Sequence, residues 1–247
     1  GVSSHQRLRN SEEKPERGRW LAPRLVAAME DRLARGEQSL LFLNRRGYAP
    51  LTLCRHCGFR FQCPNCSAWL VEHRLSRRLA CHHCGHETPP PDNCPECGEP
   101  ECLVACGPGV ERIADEVAER LPEARLAVAT SDTLNSPEKA AEFIARAEAG
   151  EIDVIVGTQL VTKGFHFPEL TLVGVVDADL GLEGGDLRAA ERTYQQVAQV
   201  AGRAGRGAKP GEVLIQTRHP EASVIAALAA GDRDAFYDAE TEARRHA

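Results

Sequence analysis

Apolar residues in this chain fall into short blocks separated by polar turns, and their period changes from block to block. Residues 1–20 are dense in charge and show no apolar period, which predicts a linker or arm. From Leu21 the spacing turns helical: Leu25, Val26, Met29 and Leu33 share one face, and Gly36 supplies a stop. SLLFL (39–43) reads as a buried strand that ends in the polar turn Asn44-Arg45-Arg46-Gly47. A cysteine-rich interval follows, after which LVAC (103–106) resumes an apolar run and Val110, Ile113, Val117 and Leu121 line one side of a helix. RLAVA, IDVIV, LTLVGVVDAD and GEVLIQT then read as strands, with helices over 137–149 and 187–200 between them and two more around Ile225 and Phe236. Strands apolar on both faces and alternating with helices predict an α/β fold, a parallel sheet with right-handed crossovers. Ligands of such sheets gather beyond the carboxyl ends of the strands.

Composition sharpens this picture. Of 247 residues, 42% are hydrophobic but only 5% aromatic, so the core must be filled by Val, Leu, Ile and Ala. No apolar run reaches membrane-spanning length and no secretory signal opens the chain, so no membrane partner and a reducing cytoplasm are expected. The net charge of −6 argues against a surface coated for nucleic acid. Between residues 44 and 86, however, seven arginines (45, 46, 55, 60, 74, 77, 78) face one acid, Glu72. Two four-thiolate metal sites would offset four of the resulting charges, which leaves a modest basic face.

The cysteine interval carries the most specific chemistry. CRHCGFRFQCPNC, CHHC and CPEC contain four C-x-x-C pairs between Cys54 and Cys97. Two cysteines so spaced sit on one tight turn and aim both sulfurs at one tetrahedral metal, so four pairs predict two Zn2+. Gly58, Gly85 and Gly98 each follow the second cysteine of a pair, where the turn favours positive φ. Three pairings are open. Cys57 to Cys63 leaves little chain for a two-knuckle ribbon, whereas Cys66 to Cys81 is close to the zinc-ribbon separation. The gaps therefore favour a nested arrangement: Cys63, Cys66, Cys81 and Cys84 inside, Cys54, Cys57, Cys94 and Cys97 outside. Disulfides or a redox C-x-x-C are the competing explanations, and repeated glycine-backed knuckles weigh against both. Cys102 and Cys106 lack such partners and read as buried structural thiols, Trp69 as packing for the ribbons, and His166 as a loop residue. His82 and His83 are unneeded as ligands beside a full thiolate set.

A second group of motifs lies in the α/β part. Gly157-Thr158-Gln159 with Lys163-Gly164, then Asp177-Ala178-Asp179, then Gln199-x-x-Gly202-Arg203-x-Gly205-Arg206 follow successive strands or helices. Taken alone, Arg203 and Arg206 could be solvated loop arginines. Together the motifs resemble the second motor lobe of superfamily 2 helicases, and LFLNRRGYAP before an eight-cysteine insertion narrows the resemblance to the family of bacterial primosomal protein N′ (PriA), replication-restart DNA helicases. The likeness runs from about Trp20 onward. It departs from the family at 128–132, where only Asp132 remains of an acidic-basic-acidic run, and at Glu183-Gly184-Gly185-Asp186.

The resemblance implies a RecA-like parallel-sheet helicase lobe interrupted by a small two-zinc module. The expected divisions are an arm to residue 20, the start of the lobe over 21–53, the module over 54–102, the rest of the lobe over 103–230 and a link to a further domain over 231–247. It also implies the nested cysteine pairing. Gln199, Arg203 and Arg206 are implied to face ATP, with Gly202 beside it. Gly157, Thr158, Gln159 and Lys163 are implied to couple nucleotide to DNA, and Arg45 and Arg46 to lie near DNA. The implied activity is ATP-dependent 3′ to 5′ unwinding with Mg2+, at forked or single-stranded DNA, with primosome and single-strand-binding proteins as partners. No G-x-x-x-x-G-K-[ST] loop and no DEAD/DEAH-type acidic motif occurs in the sequence, so ATP and Mg2+ are expected to need a first lobe elsewhere, and the chain is expected to be an excised piece that hydrolyses no ATP alone. The rival expectation is a non-enzymatic zinc-ribbon scaffold with a degenerate lobe.

Overall fold

The computed structural model describes residues 6–11, 15–16, 19–43, 51–54, 56–57, 59–66, 69–73, 78–81, 83–106, 110–130, 133–158, 161, 167–181, 188–205 and 209–245. Six strands form the principal sheet: β1 (Gln6–Ser11), β2 (Gln38–Leu43), β8 (Leu126–Ala129), β9 (Val154–Gly157), β10 (Leu170–Val176) and β11 (Gly211–Gln216). Their order is β1-β11-β10-β2-β9-β8, and every pairing is parallel. Between them β3 (Leu51–Cys54) pairs antiparallel with β7 (Leu103–Cys106), and β4 (Val71–His73), β5 (Arg78–Ala80) and β6 (Glu87–Thr88) form a small antiparallel sheet.

The alternation along each strand sorts its side chains onto two helical layers. Leu41 and Leu43 of β2, Val154 and Val156 of β9 and Leu172 of β10 bury against α1 (Pro23–Ala34) and α2 (Val110–Arg120). Leu40, Phe42, Ile155, Val173 and Val175 point to the other face, under α3 (Pro137–Glu148), α4 (Ala189–Ala201), α5 (Ser223–Ala230) and α6 (Arg233–Arg245). Strands buried on both sides need no polar alternation, and this is why their sequences read as continuous apolar runs.

Local signals account for the helix ends. Pro23 and Pro137 start α1 and α3, where a missing N–H costs nothing. Ser136 accepts from the Lys139 N–H. Ala22 has no capping side chain, and the entry to α1 is held from outside instead: Glu116 accepts from the Trp20 and Leu21 N–H groups, and Gln216 accepts from that of Ala22.

Three expected boundaries differ from the structure. Residues 6–11, within the segment expected to be an arm, form edge strand β1. An edge strand needs no apolar period, so QRLRNS gave no signal. Second, β7, at the point where the lobe was expected to resume, does not enter the principal sheet but pairs with β3, and the two strands form the stem of the insertion over 51–106. Third, the segment after residue 230 is part of the lobe rather than a link, because Phe236 of α6 is 1% exposed and stacks on Tyr194 of α4 at 4.6 Å. Phe236→Ala is therefore expected to cost about 3–5 kcal/mol, read as a lowered urea midpoint. A loss below about 1 kcal/mol would show that α6 adds little to the core.

Candidate functional site

The module leaves the lobe after the carboxyl end of β2 and returns at α2, so it rises from the carboxyl edge of the sheet. Within it the sulfurs gather into two groups, Cys54, Cys57, Cys94 and Cys97, and Cys63, Cys66, Cys81 and Cys84, each with all four Sγ atoms within 4.8 Å of one another. Sulfur–sulfur distances within them include 3.7 Å (Cys54–Cys97), 3.6 Å (Cys57–Cys94), 3.5 Å (Cys63–Cys84) and 3.4 Å (Cys66–Cys81). A zinc–sulfur bond of about 2.3 Å in a tetrahedron puts sulfurs about 3.8 Å apart, whereas a disulfide puts them about 2 Å apart. The spacing therefore fits zinc and not cystine.

The backbone prepares these positions. Gly85 and Gly98 adopt φ of 76° and 73° and donate to the carbonyls of Cys81 and Cys94, closing each knuckle. Gly58, Arg55 and His82 lie outside the described residues. Burial opposes ionisation of Cys54, yet the N–H groups of Cys57 and His56 outweigh it and bring the thiol down to about 6. Cys81 likewise falls to about 6, against its burial, through the N–H groups of Cys84 and His83. Burial pushes Cys57 up to about 12, reinforced by sulfur neighbours that resist further negative charge. Four crowded thiolates need a cation between them. Phe61, Leu70 and Leu79 are the small apolar core around the inner group. Cys102 is buried beside Cys54 and Cys94, and its burial pushes it up to about 12, as suits a structural thiol. Cys106 has no described side chain.

The motor motifs divide between the two edges of the sheet. Gly157 and Thr158 lie at the carboxyl end of β9, on the module's side. A Cβ on Gly157 would meet Val161 at 2.6 Å and the Ala129 carbonyl at 3.1 Å, so packing alone requires glycine here. Gln159 and Lys163 lie outside the described residues, as do Arg45, Arg46 and His166. Helix α4 runs back across the sheet and delivers Gln199, Gly202 and Arg203 to the opposite, amino edge. There Gly205 donates to the carbonyl of Leu170, the first residue of β10, and packs against Gly211, the first of β11. The expectation that the motifs sit together at the carboxyl ends is thus corrected by the direction of α4.

Gln199 is exposed, whereas Arg203 is 7% exposed, which does not suit a solvated loop arginine. Arg206 lies outside the described residues. The loop that carries these residues is fastened by charges that periodicity could not reveal. Lys209 contacts Glu169 at 2.8 Å and Glu37 at 3.5 Å, and the buried Glu37 accepts from the Thr171 hydroxyl at 2.6 Å. The hydrogen bond to Glu169 raises the Lys209 pKa and keeps the ammonium charged.

At the carboxyl edge, Asp179 is buried and accepts from the Thr217 hydroxyl and the Arg218 N–H, tying β10 to β11. Asp177 instead turns toward the module and meets Arg60. Arg60 and Arg78, counted in the basic face, are both paired with acids, Arg78 with Glu87 at 3.0 Å. Trp69 is buried in the ribbon, as packing predicts. No described helix is long and apolar enough to cross a membrane.

Comparison with known proteins agrees with these two parts. Residues 63–89 match the PriA DNA helicase Cys-rich region (CRR) domain and residues 103–208 the helicase conserved C-terminal domain. The chain is 48% identical over 237 residues to the replication restart protein PriA of Rickettsia conorii, covering 96% of this chain and 37% of that protein. Against the Bacillus subtilis replication restart protein PriA the identity is 42% over 221 residues, covering 90% of this chain and 27% of that protein. A solved structure of Saccharomyces cerevisiae Dbp5 bound to RNA and ADP BeF3 is 10% identical, with a TM-score of 0.43 over 97% of this chain and 44% of that one. The chain thus spans about a third of the first of these relatives.

Proposed function

Because this chain belongs to the family of the replication restart protein PriA, we propose that it is the second motor lobe and zinc module of an ATP-dependent DNA helicase that unwinds 3′ to 5′ and restarts stalled replication forks. The observation that carries this is the insertion of a two-cluster cysteine module at the carboxyl edge of a lobe that matches the helicase C-terminal domain. The eight clustered cysteines hold two zincs with a structural role, since all four positions around each are protein sulfurs. Gln199, Arg203 and Arg206 serve ATP, with Gly202 beside them. Gly157, Thr158, Gln159 and Lys163 couple the nucleotide to DNA. ATP supplies the driving free energy and Mg2+ the charge neutralisation, on a phosphate loop carried by a first lobe. Partners are forked or single-stranded DNA and, by family likeness, primosome and single-strand-binding proteins.

Binding of labelled forked and single-stranded oligonucleotides, followed by fluorescence anisotropy, tests the lobe's share. With Arg60 and Arg78 already paired, five of the seven arginines are left to contact phosphate, so the log–log slope against salt on single strands should be negative and no steeper than about −3.5. Binding that ignores salt would favour the scaffold reading, in which the module docks protein.

A further inference from the structure

We propose that Arg60 and Asp177 form a latch that holds the zinc module in a fixed orientation over the carboxyl edge of the lobe, with Arg60 as the positioning residue. The latch rests on geometry and does not depend on the motor reading above.

Arg60 lies between the first and second C-x-x-C pairs, and its backbone bridges to Leu53 in the stem of the module. Its guanidinium carbon stands 5.8 Å from the centre of the Trp69 ring, a cation–π distance that restrains an otherwise flexible side chain. Trp69 is itself fixed by burial and by its backbone bridge to Gln62. Braced this way, Arg60 Nη2 reaches both carboxylate oxygens of Asp177, at 3.4 and 3.5 Å. The arginine side chain is 8% exposed and the aspartate 19%, so the pair is sheltered from the screening that weakens surface ion pairs.

Asp177 is shaped for the contact from the lobe side. It is the residue after β10 and adopts φ of 53°, a left-handed conformation that aspartate tolerates better than most residues. Two residues on, the buried Asp179 anchors the same turn to Thr217 and Arg218, so the turned-out carboxylate stands on a rigid mount. The contact is about half an ångström longer than a tight charge-assisted bond. β10 also adjoins β2, from whose end the module departs, so the latch joins the module to the lobe at a point other than its covalent stem.

The test uses the zinc-loaded chain and ¹⁵N relaxation, comparing the tumbling of amides in β4, β5 and β6 with those in β2, β9 and β10. Asp177→Asn removes the charge while keeping a side chain that accepts left-handed φ, and it lies away from the cysteines. The unmodified protein should tumble as one body; Asp177→Asn and Arg60→Ala should lose that common tumbling, with zinc content unchanged. Arg60→Lys, which keeps a cation between Trp69 and Asp177, should retain it, which a loss of charge would not do. Common tumbling retained in Asp177→Asn, or lost in Arg60→Lys, overturns the latch. An arm with a fluorescein-labelled single-stranded oligonucleotide separates the two proposals. If tumbling responds as expected but no variant or parent binds the oligonucleotide, the latch stands and the motor reading falls.

Discussion

Removing zinc from this protein should unfold residues 51–106 and leave the six-stranded sheet standing. The module's strands are two to four residues long, and among the described residues its inner apolar cluster fully buries three hydrophobic side chains besides cysteine, Phe61, Leu70 and Leu79. So small a core cannot offset the conformational entropy of its chain. In zinc-finger peptides the metal contributes about 10–16 kcal/mol, and without it they do not fold. The lobe has separate apolar layers on both faces of its sheet and does not draw on the metal. Elemental analysis of carefully prepared protein should return two zincs per chain, one for each cysteine group. After chelation, hydrogen exchange should accelerate in β3 to β7 while amides of β2, β9 and β10 keep their protection. One zinc or none, or a lobe that melts together with the module, would contradict this.

Arg206→Ala, assayed in a protein that also carries the first lobe, should lower DNA-stimulated ATP hydrolysis by about a hundredfold or more and change nucleotide affinity far less. An arginine that meets the transferred phosphoryl group only when two lobes close stabilises the transition state more than the bound substrate. The mount for such a residue is visible just before it. Gly205, with φ of 69°, is hydrogen-bonded to Leu170, and a Cβ there would come within 2.3 Å of the Gly211 nitrogen. The chain therefore enters Arg206 from a point fixed to the sheet. Zinc content should be untouched, because the seven residues of β10 put about 20 Å between this edge and the one that bears the module. Near-normal hydrolysis would return Arg206 to the status of a solvated loop arginine and shift the balance to the scaffold.

What could be read from sequence was whatever is local. C-x-x-C followed by glycine specifies a knuckle within five residues, and the buried strands announced themselves because both faces are covered. Features set by direction and by distant partners were hidden. Nothing in AAERTYQQVAQVA says that α4 carries Gln199 and Arg203 away from Thr158; that follows from a parallel sheet, in which each helix must return to the start of the next strand. Phe236 was visible as the centre of a helix but not as a partner of Tyr194 from 42 positions earlier. Arg60 was one of seven arginines and Asp177 one of two aspartates in a D-x-D. Only the fold places them within reach of each other across 117 positions.

The pairing of β3 with β7 sets Leu51 opposite Cys106, so the two ends of the insertion lie about 5 Å apart. An insertion whose ends meet demands no stretch from its host. The lobe strands that precede and follow the insertion, β2 and β8, are each hydrogen-bonded to β9 without any help from it. Residues 51–106 are in this sense a cassette: a short polar turn from the end of β2 to α2 could replace them and still preserve the strand order, and the same cassette could be grafted onto another parallel sheet at a comparable strand end.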